Sequence, residues 1–348
     1  MQMKKSIIAG TMMVMMLSLT GCNMDKGTEN ITQGFEAITG LEYENALAAF
    51  AAATEAKEDP QEIARGQGIA YLGLAQYKDA IAQFKTALSY SNEFVDEFDF
   101  DTNYYLATAY FKNGQLKEAE EVYSAILDLR DDREAHYLRG IVLLNQGAME
   151  KAKSDFQIAL DKDKNDYDMY IDICQAYMDK GYEEEGKAYL QAALGNTDKK
   201  ISDYDKGRLS YYMGDYENAR NYLEAAKGKK DAETVLLLGQ SYEKLGDYNY
   251  AASIYSNYLT EFPDNVVIYN RLGMCKLEGK DAESALKYFE QALALEDASM
   301  TQVLKFNQIV AYEYLGDFAQ ASVLMKNYLA IYPDDQDAIR EYEFLKSR

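Results

Sequence analysis

A small residue returns along this chain at nearly constant intervals, and that recurrence limits what the chain can fold into. It falls at Ala46, Ala80, Ala119, Ala152, Gly186, Ala219, Ala251, Ala285 and Ala321. The steps centre on about 34 residues, too short for a domain and long enough for a pair of helices. The surrounding letters repeat as well: Gly214-Asp215-Tyr216-Glu217-Asn218-Ala219, Gly246-Asp247-Tyr248-Asn249-Tyr250-Ala251 and Gly316-Asp317-Phe318-Ala319-Gln320-Ala321.

Each part of the pattern has a physical reason. Ala80, Phe84 and Ala87 lie at i, i+4 and i+7, one stripe of a helix. The small residue lets that helix approach the one before it. On the earlier helix, Gly68 with Tyr71, Ala107 with Tyr110 and Gly239 with Tyr242 repeat a small and an aromatic position. Gly114, Gly147, Gly181, Gly214, Gly246 and Gly316 fall where the first helix must stop, a place that favours the left-handed conformation. Pro60, Pro263 and Pro333 fall between copies, so none interrupts a helix interior.

This pattern resembles the tetratricopeptide repeat. The resemblance implies an all-α, right-handed helical solenoid of about nine helix-turn-helix repeats over residues 27–335, with 336–348 as a polar capping helix. Gly186 in place of alanine, Ala282 in place of tyrosine and a weak first helix from Lys199 to Tyr212 depart from the pattern. The resemblance also implies an inner surface lined by first helices. That makes Tyr104, Thr108, Phe111, Tyr137, Ile141, Leu144, Ile171, Gln175, Met178, Tyr204, Arg208 and Tyr211 the candidate partner-binding groove, about half of them expected in ordinary helix packing. Most are aromatic or aliphatic, which suits anchor-type recognition. Only Arg208 among them is basic, so the Lys/Asn-rich clamp with which some family members grip acidic tails is not visible.

The N-terminus reads as an address. Lys4 and Lys5 precede a mostly apolar run from Ile7 to Leu19, too short for a bilayer span of about 20 residues. Leu19-Thr20-Gly21-Cys22 then resembles the lipobox of bacterial lipoproteins. The resemblance implies a signal peptide over 1–21, a lipidated Cys22 and a short linker over 22–26. The expected location is the extracytoplasmic face of a cell membrane or outer membrane.

Charge and composition narrow the chemistry. Asp and Glu number 58 against 36 Lys and Arg, a net charge of −22, which disfavours nucleic acid as a partner. The single histidine, His136, leaves little room for a catalytic triad or a histidine metal site and is expected to serve packing. No cofactor and no enzymatic activity are expected. Cys174 and Cys275, three copies apart, are expected to be separate buried thiols. Asp161, Asp163 and Asn165 have the spacing of the first calcium ligands of an EF-hand. Asp166 replaces the turn glycine and Asp172 the final glutamate, so a polar junction is the stronger reading.

One step lengthens to 39 residues, and there the chain reads Asn92-Glu93-Phe94-Val95-Asp96-Glu97-Phe98-Asp99-Phe100-Asp101. An extended second helix whose phenylalanines pack on the array is expected, with a projecting contact element as the alternative. Acidic residues recur near the start of first helices, at Glu62, Asp101, Glu134, Asp168 and Glu233. The function expected is a membrane-anchored scaffold that binds a protein or peptide, basic and with apolar anchors. The alternative is a structural spacer or assembly factor for envelope complexes.

Overall fold

The computed structural model describes residues 28–92, 95–196, 200–229 and 231–348. Residues 1–27, with the proposed signal and Cys22, lie outside them, as do Glu93, Phe94 and Lys199. The described residues are all-α, with no strand among them. They divide into two compact units, the described residues up to 159 and those from 160 to 348.

In the first unit α1 (Glu29–Thr39) pairs with α2 (Tyr43–Glu55), and α3 (Pro60–Gly73) with α4 (Tyr77–Leu88). Next come α5 (Glu97–Lys112) with α6 (Leu116–Leu129) and α7 (Arg133–Asn145) with α8 (Met149–Lys162), which carries the unit boundary. The second unit contains α9 (Tyr167–Asp179), α10 (Glu183–Leu194), α11 (Asp203–Met213), α12 (Tyr216–Ala226), α13 (Ala232–Lys244) and α14 (Tyr248–Glu261). It continues through α15 (Val266–Glu278), α16 (Ala282–Leu293), α17 (Ala298–Tyr314), α18 (Phe318–Ile331) and α19 (Gln336–Leu345). Within each unit helices pack on their neighbours in sequence, and first helices on the next first helix, the packing order of a helical solenoid.

Two registers set this packing, and both are counted from the recurrent small residue. Five positions before it, every helix pair turns through a left-handed residue. Six of the nine are glycines, with φ from 76° to 84°. The other three are Leu41, Ala75 and Lys280, which take φ of 59°, 56° and 62° despite their side chains. Four positions after it, a large side chain enters the facing first helix. Phe50 meets Gly34, Phe84 meets Gly68, Phe156 meets Gly140 and Leu223 meets Gly207, so closely that a Cβ on each glycine would lie 2.5–2.6 Å from it. Phe50, Phe84, Phe156 and Leu223 are fully buried.

The fifth pair exchanges the roles. Cys174 stands where seven other first helices carry glycine or alanine, and Gly186 replaces the usual alanine of the second. A Cβ on Gly186 would lie 2.7 Å from the Cys174 carbonyl oxygen. The sequence departure at Gly186 is therefore a steric requirement of this pair. Cys174 and Cys275 are both buried free thiols.

Much of the acidity is helix capping. Asp59, Asp96, Asp132, Asp166, Asp231, Asp297 and Asp335 each accept a hydrogen bond from a backbone N–H at the start of a first helix or of α19. Glu62, Glu134, Asp168 and Glu233 follow in first turns, where the helix dipole favours negative charge. Asp166, from the calcium-like stretch, caps α9 through Met169 N at 3.1 Å.

The long step resolves differently from the expected extended second helix. α4 stops at Leu88, and the extra residues lengthen α5, a first helix, to 16 residues. Asp96 and Asp99 form a reciprocal capping box at its start. Phe98 lies under the Arg65 guanidinium and Phe100 under that of Arg130, each 4.1 Å from the ring centroid. The phenylalanines of the described part thus face inward to two arginines and do not project.

Candidate functional site

The predicted groove residues divide between the two units. In the first, α5 carries Tyr104, Thr108 and Phe111, and all three are partly buried. The Tyr104 hydroxyl donates to Asp132 Oδ1 at 2.6 Å, and its ring centroid lies 6.0 Å from that of Tyr123. Thr108 Oγ1 lies 3.4 Å from the Tyr123 hydroxyl, so one buried tyrosine supports both residues. Burial and the Asp132 contact push the Tyr104 hydroxyl up. Burial also raises Asp132, but the Tyr104 hydroxyl and the α7 amides outweigh it and hold its carboxyl below the usual range.

On α7, Tyr137 sits 6.2 Å from Phe156, centroid to centroid, and Ile141 is half-buried. Leu144 is 2% exposed and Ile171, on α9, is 4% exposed. Both are core and have no surface to offer a partner, which corrects their assignment to the groove. The physical reason is that neighbouring side chains cover this side of α7 and α9 fully, so the same register that leaves Phe111 half-buried buries Leu144.

His136 is buried beside this face and serves structure. Its Nδ1 lies 2.8 Å from Asp155 Oδ1 and its Nε2 3.1 Å from Asp131 Oδ1. Arg139 donates to both oxygens of Asp155, from Nε at 2.7 Å and from a terminal nitrogen at 2.8 Å. The buried Asp155 carboxylate is thereby matched by a bidentate cation.

In the second unit Gln175 is exposed and Met178 half-buried on α9. On α11 the Tyr204 hydroxyl donates to Glu233 and the Arg208 guanidinium lies over the Tyr204 ring at 5.3 Å. Arg208 pairs with Asp168 of α9 and, at 3.1 Å, with Glu233 of α13. Its side chain is only 14% exposed, while those of Asp168 and Glu233 are 69% and 52% exposed. Burial lowers the Arg208 pKa, and its hydrogen bond with Asp168 and the charges of Glu233 and Asp168 more than reverse that. Burial, then the charges of Asp168 and Asp166, raise the nearby Asp172 carboxyl. The cluster thus presents open carboxylates around one cation that is already covered.

Tyr211 belongs to a polar cavity of about 310 Å³, lined also by Gln240, Glu243, Lys244, Tyr248, Arg271, Met274, Cys275 and Glu278. With its amide oxygen toward Arg271, Gln240 accepts from the guanidinium at 2.9 and 3.2 Å and donates to the Tyr211 hydroxyl at 2.9 Å. Glu243 accepts from the buried Tyr255 hydroxyl at 2.6 Å and faces Arg271 at 3.6 Å. Burial pushes the Tyr211 hydroxyl up to about 12. The sequence reading missed Gln240, Glu243 and Met274. Carrying the register of Arg208 and Tyr211 forward to α13 and α15 would have found them.

Two stretches match tetratricopeptide-repeat families, residues 67–141 and 236–300. The chain is 23% identical over 214 residues to the BBSome complex member bbs-4 of Caenorhabditis elegans, covering 58% of this chain and 46% of that protein. It is 23% identical over 341 residues to DnaJ homolog subfamily C member 3 of Gallus gallus, covering 78% and 63%. The chain therefore spans less than two thirds of the length of either relative. A solved tetratricopeptide repeat protein from Parabacteroides merdae superposes with a TM-score of 0.45 at 16% identity, covering 72% of this chain and 98% of that one. Two matched stretches and a helix-pair register that runs through both units lead to one conclusion: the chain is a tetratricopeptide-repeat protein.

Proposed function

We propose that this chain is a lipid-anchored, extracytoplasmic scaffold that holds a basic protein segment with apolar anchors along its first helices. The tetratricopeptide-repeat fold is a protein–protein interaction scaffold, and its members bind protein or peptide partners. The observation that carries the finer reading is the Arg208 cluster. Asp168 and Glu233 stay open to solvent although they hold a cation, and Tyr204 lies beside them. A partner's Lys or Arg would meet the open carboxylates while an apolar side chain rests on the tyrosine. The chain acts in this reading by binding and not by catalysis, and needs no cofactor.

The anchor rests on Leu19-Thr20-Gly21-Cys22, outside the described residues. Among the described residues no helix is long and apolar enough to cross a membrane. Two acyl chains on Cys22 would give stable attachment where one would not.

A pull-down from solubilised membranes tests the reading. Salt should slow association with the captured partner, and Tyr204→Ala should speed release. A strongly acidic partner, or binding indifferent to both changes, would end it. The spacer reading is favoured by one observation: Tyr104 is tied to Asp132 within the fold and supports it structurally. A spacer would capture no partner whose binding depends on first-helix residues.

A further inference from the structure

The last described helix, α19, packs on α18 as α15 packs on α14 and α17 on α16. Its seat is apolar: Ile309 of α17, Ala321, Met325 and Tyr328 of α18, and Ala338 and Leu345 of α19 form one buried cluster. Beside that seat lies Glu313 of α17, whose Oε1 is buried and has no hydrogen-bond partner. A carboxylate oxygen left so is costly, whereas a neutral carboxyl group there costs far less.

The charge that acts on Glu313 makes this worse. Among the described residues it comes from Glu341 on α19 itself. The cluster residues of α18 carry no charge. Elsewhere on α19, Arg340 pairs with Asp337 and Lys346 with Glu343, and Asp335 accepts from the Tyr328 hydroxyl at 2.7 Å. No cation is set against Glu313 in these contacts. Burial, then repulsion from Glu341, push Glu313 up to about 7.

We propose that α19 is a proton-dependent clasp, closed over α17 and α18 when Glu313 is neutral and loosened when Glu313 is ionised and repelled by Glu341. Released, Glu313 regains water and titrates as an ordinary carboxyl near 4.5. Between that value and about 7 the closed state binds more protons than the open one. Closure therefore weakens as pH rises through this window and levels off above it. Opening uncovers Ile309, Met325 and Tyr328.

Hydrogen exchange of the full chain, corrected for the intrinsic pH dependence of exchange, reads the clasp directly. Protection of α19 amides should fall at least tenfold between pH 5 and pH 7.5, while protection of α16 stays level. Glu313→Gln should hold α19 at its protected value throughout. Glu341→Gln should shrink the fall, because it removes the repulsion and keeps the burial. Protection of α19 that ignores pH in the unsubstituted chain would overturn the proposal. So would a Glu313→Gln chain that keeps the same pH dependence, since the titrating group would then lie elsewhere.

Discussion

A methyl group on Gly68 would sit 2.5 Å from Cε1 of Phe84, closer than a side chain can approach. The first helix of this pair is hollow at the point where the second helix delivers its ring. Gly68→Ala should destabilise the pair by about 1–3 kcal/mol, the usual range for overpacking. Phe84→Leu placed on top should recover part of that loss, because the two changes share one contact. Urea unfolding of the four chains of this cycle measures the coupling. Strictly additive losses would mean that the glycine serves some other purpose.

The three non-glycine turns offer the opposite experiment. Ala75 and Lys280 hold φ of 56° and 62° where six other turns have glycine. Ala75→Gly and Lys280→Gly should each stabilise their pair by about 0.5–1 kcal/mol, since glycine reaches this conformation without steric cost. Gly114→Ala, at a matching turn with open space around it, should cost a similar amount. Thermal melts of the three variants decide the sign at each turn.

Tyr104 and Asp132 link α5 to the cap of α7. Tyr104→Phe keeps the ring and removes the hydroxyl, and should cost about 1 kcal/mol at pH 7. Asp132 has a depressed pKa in the fold, so its contribution is present above its ordinary value of 3.8 and is lost as pH falls through the folded value. The penalty of Tyr104→Phe should therefore shrink in strong acid. Denaturant titrations at pH 7 and below pH 3 test this. Tyr104→Phe also separates the two roles of this residue: partner binding that survives it but not Tyr104→Ala depends on the ring.

Cys22→Ser tests the anchor. The variant should remain unprocessed and take up no radioactive palmitate, while the unsubstituted chain takes it up and sediments with membranes. A chain that carries no palmitate and appears in the medium would refute the lipobox reading.

The groove was only partly legible because exposure is not a one-dimensional property. Tyr104, Ile171 and Tyr204 share one register, yet Tyr104 and Tyr204 are half-open and Ile171 is core. Phe111 and Leu144 differ in the same way. Spacing says which side of a helix a residue lies on, and neighbours from other helices say whether that side is covered. Nor could the sequence show that Asp168 and Glu233, 65 positions apart, meet at Arg208.

The sequence by itself determined the helix pairs. The nine-fold return of a small residue, the turn five positions before it and the large apolar side chain four positions after it are local rules. Each acts within a single pair of helices, so a linear pattern contains them. The aspartate caps are local in the same sense. The tertiary structure alone decided the rest. It turned the residues after Asp96 into a longer α5, because Arg65 of α3 and Arg130, just past α6, wait for Phe98 and Phe100. It required glycine at 186, because the Cys174 carbonyl oxygen of the facing helix lies where a Cβ would sit. It buried one oxygen of Glu313 near a second carboxylate. Burial, close approach and charge pairing depend on distances in space, and residues far apart in the chain set those distances only once the helices have packed.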